Sequence, residues 1–217
     1  MFIAASIQAR LGSTRLPGKV LFPLGDRRLL KWPIDRSRDA ETVDETVAAI
    51  GDRPENDAIE TYCDRSRIDH LVGPEDDLLK RHLKVINKTG CDLLVRITAD
   101  CPFVPSEEID RVVEEHMSND ARYTTNVTGN MPVGIGVDAI DPDLLRELHA
   151  LEETHPVKLA RSEPANWDTN WSDNPSWNHF SGVHLAVDTP ADYWSLVDAL
   201  NAVGDNPRKV AEWIAKR

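Results

Sequence analysis

The chain has 217 residues, of which 41% are hydrophobic, enough for one α/β domain with a full core but too few for two uncrowded ones. We therefore expect residues 1–217 to form a single domain. The formal charge of −12 is unfavourable for binding nucleic acid, which uses basic surfaces. No apolar run approaches the roughly 20 residues that cross a bilayer, so no membrane partner is expected.

The first residues and the cysteines indicate a cytoplasmic protein. Residues 1–7 have no basic leader and are typical of a buried strand rather than a signal peptide. Cys63, Cys91 and Cys101 form no C-x-x-C pair, which argues against a disulfide scaffold or a zinc site. A reducing compartment is the simple inference.

Short apolar runs alternate with helical patterns along the chain. In chain order, the patterns predict a strand at 2–7, a helix at 29–40, a strand at 46–50, a helix at 57–67, a strand at 70–72, a helix at 77–89, a strand at 92–99, a helix with a capping hydroxyl at Ser106, strands at 122–127 and 135–140, a helix at 142–151, a strand at 183–187, and helices at 191–203 and 207–216. This alternation indicates an α/β fold with a mostly parallel sheet between helices.

Residues 161–181 interrupt the alternation. This segment holds Trp167, Trp171 and Trp177 among asparagine, aspartate, serine and proline. A lid or a dimer-contact loop is one interpretation, because loops on a rigid scaffold commonly carry such roles. A surface loop held in place by its tryptophans is the alternative.

The first predicted strand runs into a basic loop, QARLGSTRLPGK at 8–19. Arg10, Arg15 and Lys19 can offset the charge of a triphosphate, and glycines let the backbone approach phosphate oxygens. Ligands of open α/β sheets bind at this edge of the sheet. Five residues separate Gly12 from Gly18 and no hydroxyl follows Lys19, so the loop is not a P-loop. A phosphate-binding loop is favoured over a solvated basic turn.

Two aspartates follow predicted strands. Asp100 comes after the strand at 92–99, and Asp188 after the strand at 183–187. Mg²⁺ is usually held by one or two carboxylates together with substrate phosphates and water, so this pair is a candidate metal site. A helix cap or an Asx turn is the alternative, above all for Asp188 before Thr189.

The loop at 8–19 resembles the signature loop of cytidylyltransferases, nearest to the spore-coat-polysaccharide type and related to the 3-deoxy-manno-octulosonate and acylneuraminate enzymes. Further motifs resemble the family in the same order: TVDETVAA at 42–49, NDAIETYC at 56–63, GPEDDLL at 73–79, VRITADCP at 95–102 and VDTPAD at 187–192. The resemblance spans about residues 1–155 and 183–203. Several ordered motifs are more specific than any one alone.

The resemblance implies a nucleotide-diphospho-sugar transferase (Rossmann-like) fold and a homodimer. It implies transfer of CMP from CTP to a sugar or sugar acid, with Mg²⁺ as cofactor and release of pyrophosphate, for surface polysaccharide or glycan synthesis. The residues to which it gives roles are Arg10, Lys19 and Arg15 at the phosphates, Ala9, Gly12, Ser13, Gly73 and Asp76 in nucleotide binding, and Asp100 and Asp188 at the metal. Asp76 and Asp77 have a second interpretation as caps of the following helix.

The acceptor half resembles the family less closely. Gly136 stands where the family has aspartate, and Thr154 precedes His155 in a motif that lacks its arginine. His155 is either a ligand of a sugar carboxylate or a structural residue. Two alternatives remain for the function: a glycosyltransferase of the same fold that uses a nucleotide sugar, and a noncatalytic nucleotide-binding protein.

The charged residues also suggest a habitat. The chain has 17 arginines, only 8 lysines and an excess of acidic residues. This composition suits a protein that stays soluble at high salt concentration, provided that the basic groups needed for a nucleotide are gathered locally.

Overall fold

The computed structural model describes residues 1–217. Its strands are β1 (Ile3–Ala9), β2 (Pro23–Leu24), β3 (Arg27–Arg28), β4 (Glu45–Gly51), β5 (His70–Gly73), β6 (Leu93–Thr98), β7 (Tyr123–Thr125), β8 (Asp138–Ile140) and β9 (Thr169–Trp171). Its α-helices are α1 (Lys31–Arg38), α2 (Asp57–Ser66), α3 (Leu78–Thr89), α4 (Ser106–Asn119), α5 (Pro142–Ala150), α6 (Lys158–Ser162), α7 (Pro190–Val203) and α8 (Pro207–Ala215). No helix has the length and apolar character needed to cross a bilayer.

Seven strands form one mixed sheet in the order β5-β4-β1-β6-β8-β7-β9, and β2 and β3 form a separate hairpin. β1 pairs in parallel with both β4 and β6, whereas β8 pairs antiparallel with β6 and with β7. Strand β8 therefore runs against the other six, whose carboxyl ends share one edge. The predicted mostly parallel sheet between helices is confirmed.

Side chains of each strand alternate between the two faces of the sheet. One face packs against α1, α2 and α4, and the other against α3, α5 and α6. A third apolar cluster lies beside the sheet, where α7 and α8 pack on Phe103, Trp177 and Leu185. On the face under α3, the apolar side chains give way to polar ones towards the carboxyl edge, where Ser6 and Arg96 are buried.

The predicted strand at 183–187 is wrong. These residues form a single bridge, from Val133 to His184, and no strand of the sheet. Val183, Leu185 and Val187 are buried in the third cluster, so burial beside the sheet produces the same alternation as a half-buried strand. The hairpin of β2 and β3, helix α6 and strand β9 were not predicted.

The predicted cap at Ser106 is also wrong. Pro105 is the capping residue of α4, and Ser106 is already its first helical residue, with no side chain capping the helix. The carbonyl oxygen of Pro105 accepts from the backbone N–H groups of Glu108 and Ile109. The helix begins at Ser106 as predicted, and only the capping role passes to Pro105, whose extended backbone suits the position before a helix.

The segment at 161–181 is packed against the rest of the chain. It begins in α6 and adds β9 to the edge of the sheet beside β7. Trp167 and Trp177 are buried, whereas Trp171 is 42% exposed. This packing agrees with the alternative of a loop held by its tryptophans. Its role as a lid or dimer-contact loop stays a prediction.

Candidate active site

The basic loop after β1 folds back over the carboxyl edge of the sheet. Leu11 O accepts from Ser13 N at 2.7 Å and from Gly18 N at 2.9 Å, and Ser13 Oγ accepts from Leu16 N at 3.2 Å. Gly18 has φ of 77°, in the left-handed region that glycine adopts without strain, and it turns the chain into the short 3₁₀ helix Lys19–Leu21. The loop thus forms one wall of a cavity of about 200 Å³.

Six of the predicted site residues line this cavity. They are Arg10, Ser13, Arg15, Lys19, Asp100 and Asp188. Three come from the first loop, one begins the 3₁₀ helix, and the two aspartates come from chain segments about 90 residues apart. The sheet therefore brings together side chains that the sequence keeps far apart.

Lys19 is the centre of the cluster. Its Nζ donates to Asp100 Oδ2 at 2.6 Å, to Val187 O at 2.6 Å and to Asp188 Oδ1 at 3.2 Å. The side chain is only 9% exposed. The three oxygens use all three donors of the ammonium, as a buried charge requires.

Asp100 is held ionised. Burial alone would raise the pKa of its carboxyl group, but the charge and hydrogen bond of Lys19 outweigh burial and lower the pKa. Val187 N donates to Asp100 O at 2.9 Å, which ties the segment that carries Asp188 to the end of β6. The two carboxylates are thus fixed around one cationic position.

Asp188 does not cap the helix that follows it. Thr189 caps α7, its hydroxyl accepting from Asp192 N, while the Asp192 carboxylate accepts from Thr189 N in a capping box. Asp188 instead accepts from Lys19 and, at 2.8 Å, from Arg15 Nη2. The expectation that it ends a strand is wrong, but the structure brings it to the cavity.

Sequence reasoning missed the residues that fix the first loop from behind. Glu75 is buried and accepts from Asn56 Nδ2 at 2.9 Å, while its other oxygen lies 3.5 Å from Arg10 Nη1. Asn56 Oδ1 accepts from Leu11 N at 2.7 Å. Both residues lie in family-like motifs, but nothing in their spacing showed that they contact the loop.

Four predicted nucleotide-binding residues do not line the cavity. Ala9 faces the apolar core, and Gly12 and Gly73 pack against Glu75 and Arg81, respectively. The Asp76 side chain is 83% exposed and pairs with Arg53 at 2.9 Å. Asp77, not Asp76, caps α3 by accepting from Lys80 N. The binding roles of these four residues stay predictions.

A family model described as cytidylyltransferase matches residues 4–193, most of the chain. The chain belongs to the cytidylyltransferase family. It is therefore a nucleotidyltransferase, as the resemblance of its motifs predicted.

Curated relatives of this cytidylyltransferase include the spore coat polysaccharide biosynthesis protein SpsF of Bacillus subtilis. That protein is 33% identical over 211 residues, which cover 93% of this chain and 87% of the relative. The 3-deoxy-manno-octulosonate cytidylyltransferase of Bdellovibrio bacteriovorus is 31% identical over 52% of this chain and 45% of its own length.

Solved structures agree on the fold. A cytidylyltransferase from Leptospira borgpetersenii superposes with a TM-score of 0.91 at 25% identity, covering 100% of this chain and 94% of that one. The CMP:2-keto-3-deoxy-manno-octonic acid synthetase complexed with CTP superposes with a TM-score of 0.72 at 16% identity, covering 93% and 99%. The predicted nucleotide-diphospho-sugar transferase fold is confirmed.

The cytidylyltransferase has a second polar cluster beside the cavity, on the sheet face under α3. Arg96 of β6 donates from Nε and Nη2 to Gln8 Oε1 at 3.1 and 2.8 Å, and from Nη1 to Asp138 Oδ2 at 2.6 Å. Arg161 of α6 donates from Nη2 to Asp138 Oδ1 at 2.6 Å. Tyr123 donates its hydroxyl to the same oxygen at 2.6 Å.

Asp138 is the charge that holds this cluster together. Burial would raise the pKa of its carboxyl group, but Arg161 and Arg96 outweigh burial and lower the pKa to about 2. For His155, burial and the same two arginines lower the pKa to about 4, so its ring is neutral at pH 7. One signal for the cluster was visible in the sequence, because Arg96 interrupts the apolar run of β6.

Proposed function

We propose that this enzyme transfers CMP from CTP to a sugar acid or related sugar and releases pyrophosphate, with Mg²⁺ as cofactor. The observation that carries the proposal is the convergence of Arg10, Arg15 and Lys19 with Asp100 and Asp188 on one cavity. In a chain of charge −12, three clustered cations form a local site for a polyanion.

The two aspartates fit a magnesium ion. Their carboxylates already share one cation, the Lys19 ammonium, and Asp100 is held ionised. One or two carboxylates with substrate phosphates and water are the usual ligands of Mg²⁺ in proteins. When bound, the metal would polarise the α-phosphate and lower the pKa of the attacking hydroxyl.

The basic side chains would position the triphosphate and stabilise charge as pyrophosphate leaves. Arg15 is 63% exposed, so its guanidinium can exchange Asp188 for a phosphate oxygen at little cost. Arg10 is half-exposed and is anchored at 3.5 Å by the buried Glu75. No nucleophilic side chain is required, because the acceptor hydroxyl attacks the α-phosphorus directly. Cys101 lies beside Asp100, but burial raises the pKa of its thiol, which argues for packing.

The relatives support the donor and the pathway. One is described as acting in spore coat polysaccharide synthesis, others as 3-deoxy-manno-octulosonate cytidylyltransferases, and one structural neighbour as a CTP complex. A glycosyltransferase that uses a nucleotide sugar finds no support among these matches. Neither does a noncatalytic protein.

Calorimetric titration with CTP, UTP, ATP and GTP, each with and without Mg²⁺, tests the donor. We expect selective binding of CTP in the presence of Mg²⁺. Binding of another triphosphate instead would change the donor, and a folded protein that binds none would contradict the proposal.

Asp100→Asn tests the metal site. We expect Mg²⁺-dependent pyrophosphate release to fall at least about 100-fold, because the variant loses a charged ligand while keeping the shape of the side chain. Asp143→Asn is the matched control, since the Asp143 side chain is 87% exposed and remote from the cavity. Near-normal turnover of Asp100→Asn would remove Asp100 from the metal site.

A further inference from the structure

Resting on the proposed function, we propose that Arg96 and Arg161, held by Asp138, form the subsite that binds the carboxylate of the acceptor sugar acid. No motif of the sequence assigned this role to either arginine.

The cluster carries one surplus positive charge. Two guanidinium groups contact a single carboxylate, that of Asp138, and the histidine at 155 beside them is neutral at pH 7. All three side chains are largely removed from water: Arg96 and Asp138 are buried, and Arg161 is 29% exposed. A buried surplus charge is costly unless an anion completes it.

Two polar atoms in and beside the cluster have no protein partner. Arg161 uses Nε and Nη2 for Tyr123, Thr125 and Asp138, and its Nη1 donates to no atom of the chain. His82, next to Arg96 in the same layer, bonds Ser6 through Nδ1, but its Nε2 is buried without a partner. Arg161 Nη1 is therefore free to donate to a ligand, and His82 Nε2 is a buried polar group of the kind that normally finds a partner.

The cluster adjoins the site of phosphoryl transfer. Gln8, which accepts from Arg96, also lines the cavity beside Lys19 and Asp100. Thr98, two residues after Arg96 on the same face of β6, lines it too. An acceptor held by Arg96 and Arg161 would therefore lie next to the cavity, with a hydroxyl group directed towards the nucleotide.

The charge favours one class of acceptor. A single surplus positive charge matches a monoanion such as a carboxylate, which can accept a charge-assisted hydrogen bond from the free Nη1 of Arg161. A sugar phosphate would bring close to two negative charges to a site with only one to offset. In a 2-ulosonic acid the carboxyl group and the anomeric hydroxyl are both attached to the same carbon atom, C2. A carboxylate at this cluster would then place the attacking hydroxyl next to the cavity.

The test compares acceptors and then variants by pyrophosphate release. The probes are 3-deoxy-manno-octulosonate and N-acetylneuraminate, the carboxamides of both, and glucose 1-phosphate. The wild-type enzyme should accept at least one of the acids. Its kcat/KM for the carboxamide of that acid and for glucose 1-phosphate should be at least about tenfold lower, as the loss of a charged hydrogen bond predicts. This comparison needs no substitution and is independent of folding.

Arg161→Gln should raise KM for the acid at least about tenfold and leave KM for CTP within about twofold. Arg161→Lys should have a KM for the acid between those of the wild type and Arg161→Gln, because lysine keeps the positive charge but lacks the planar guanidinium group. Arg122→Gln is the matched control, since Arg122 pairs with Glu147 away from both clusters. Equal use of the carboxamide, preference for the phosphate, or an unchanged acid KM in Arg161→Gln would each overturn the subsite. Failure to bind Mg·CTP would instead overturn the proposed function.

Discussion

At the scale of single residues, Lys19 links the two aspartates of the cavity. Its ammonium contacts Asp100, Asp188 and the carbonyl oxygen of Val187, and little of it reaches water. Removing the cation leaves two facing carboxylates, partly buried, and the remaining basic partners are the exposed Arg15 and the His184 ring, both at Asp188. Lys19 therefore stabilises the chain itself, in addition to its proposed role at the phosphates.

Lys19→Met should lower the free energy of unfolding by about 1–3 kcal/mol, because breaking a buried ion pair strands a charge. Millimolar Mg²⁺ should restore part of this loss, since the two carboxylates then gain another cation. Thermal unfolding with and without Mg²⁺ measures both effects.

Arg15→Met is the control for this variant. Its pair with Asp188 is exposed, so we expect a loss below about 1 kcal/mol. If Lys19→Met were as stable as the wild type, or if Mg²⁺ stabilised both variants equally, Lys19 would not be the structural counter-ion of the aspartates.

At the scale of elements, Gly134 joins two segments that the sheet does not connect. It has φ of 100°, and a Cβ built on it would lie 2.4 Å from Ala186 N and 2.5 Å from Leu185 C. Val133 exchanges backbone hydrogen bonds with Val183 and Leu185, so this contact positions the segment that leads to Asp188. Backbone atoms, unlike the end of a flexible side chain, cannot move aside.

Gly134→Ala should therefore destabilise the protein by about 2–4 kcal/mol through overpacking and a strained φ. Urea denaturation followed by tryptophan fluorescence measures it. Gly129→Ala is the control, because a Cβ there meets nothing within 4 Å, and its stability should change by less than about 1 kcal/mol. Similar midpoints for the two variants would show that the close approach at Gly134 is not required.

The elements also show what local pattern could predict. Helix α3 was predictable, because its apolar stripe lies between a capping Asp77 and Gly90 in the left-handed region. The segment at 183–187 was not, because an alternating pattern shows which side chains are buried but does not show which strand, if any, the backbone pairs with. The site followed the same division. Motifs pointed to the roles of the cavity residues, whereas Glu75, Asn56 and Arg161 act through contacts between distant segments, and spacing cannot show such contacts.

At the scale of the whole molecule, the net charge of −12 lowers the stability of the folded chain, because its acidic groups repel one another. Salt screens this repulsion, with a Debye length of about 10 Å at 0.1 M and about 3 Å at 1 M. The three cations that line the cavity are an exception within the acidic chain.

The melting temperature should therefore rise as KCl increases from about 0.1 M to molar concentration, by several degrees if repulsion amounts to about 1–2 kcal/mol. Differential scanning calorimetry over this range measures it, with NaCl at matched ionic strength as the control for ion-specific effects. A melting temperature that fell as KCl rose would contradict adaptation to high salt. The predicted homodimer belongs to the same scale and stays a prediction.

The reversed strand β8 has a consequence for how such enzymes diverge. Strand β1 leads into the loop of the proposed nucleotide site, while β8 and β7, which lie beyond β6, supply Asp138 and Tyr123 of the proposed acceptor cluster. Because β8 runs backwards, its first residue, Asp138, reaches the active edge directly from the irregular loop at 126–137. Insertions or substitutions in that loop can reshape acceptor preference while the donor half stays intact. Enzymes of this architecture can thus change their acceptor sugar during evolution while the nucleotide-binding residues stay the same.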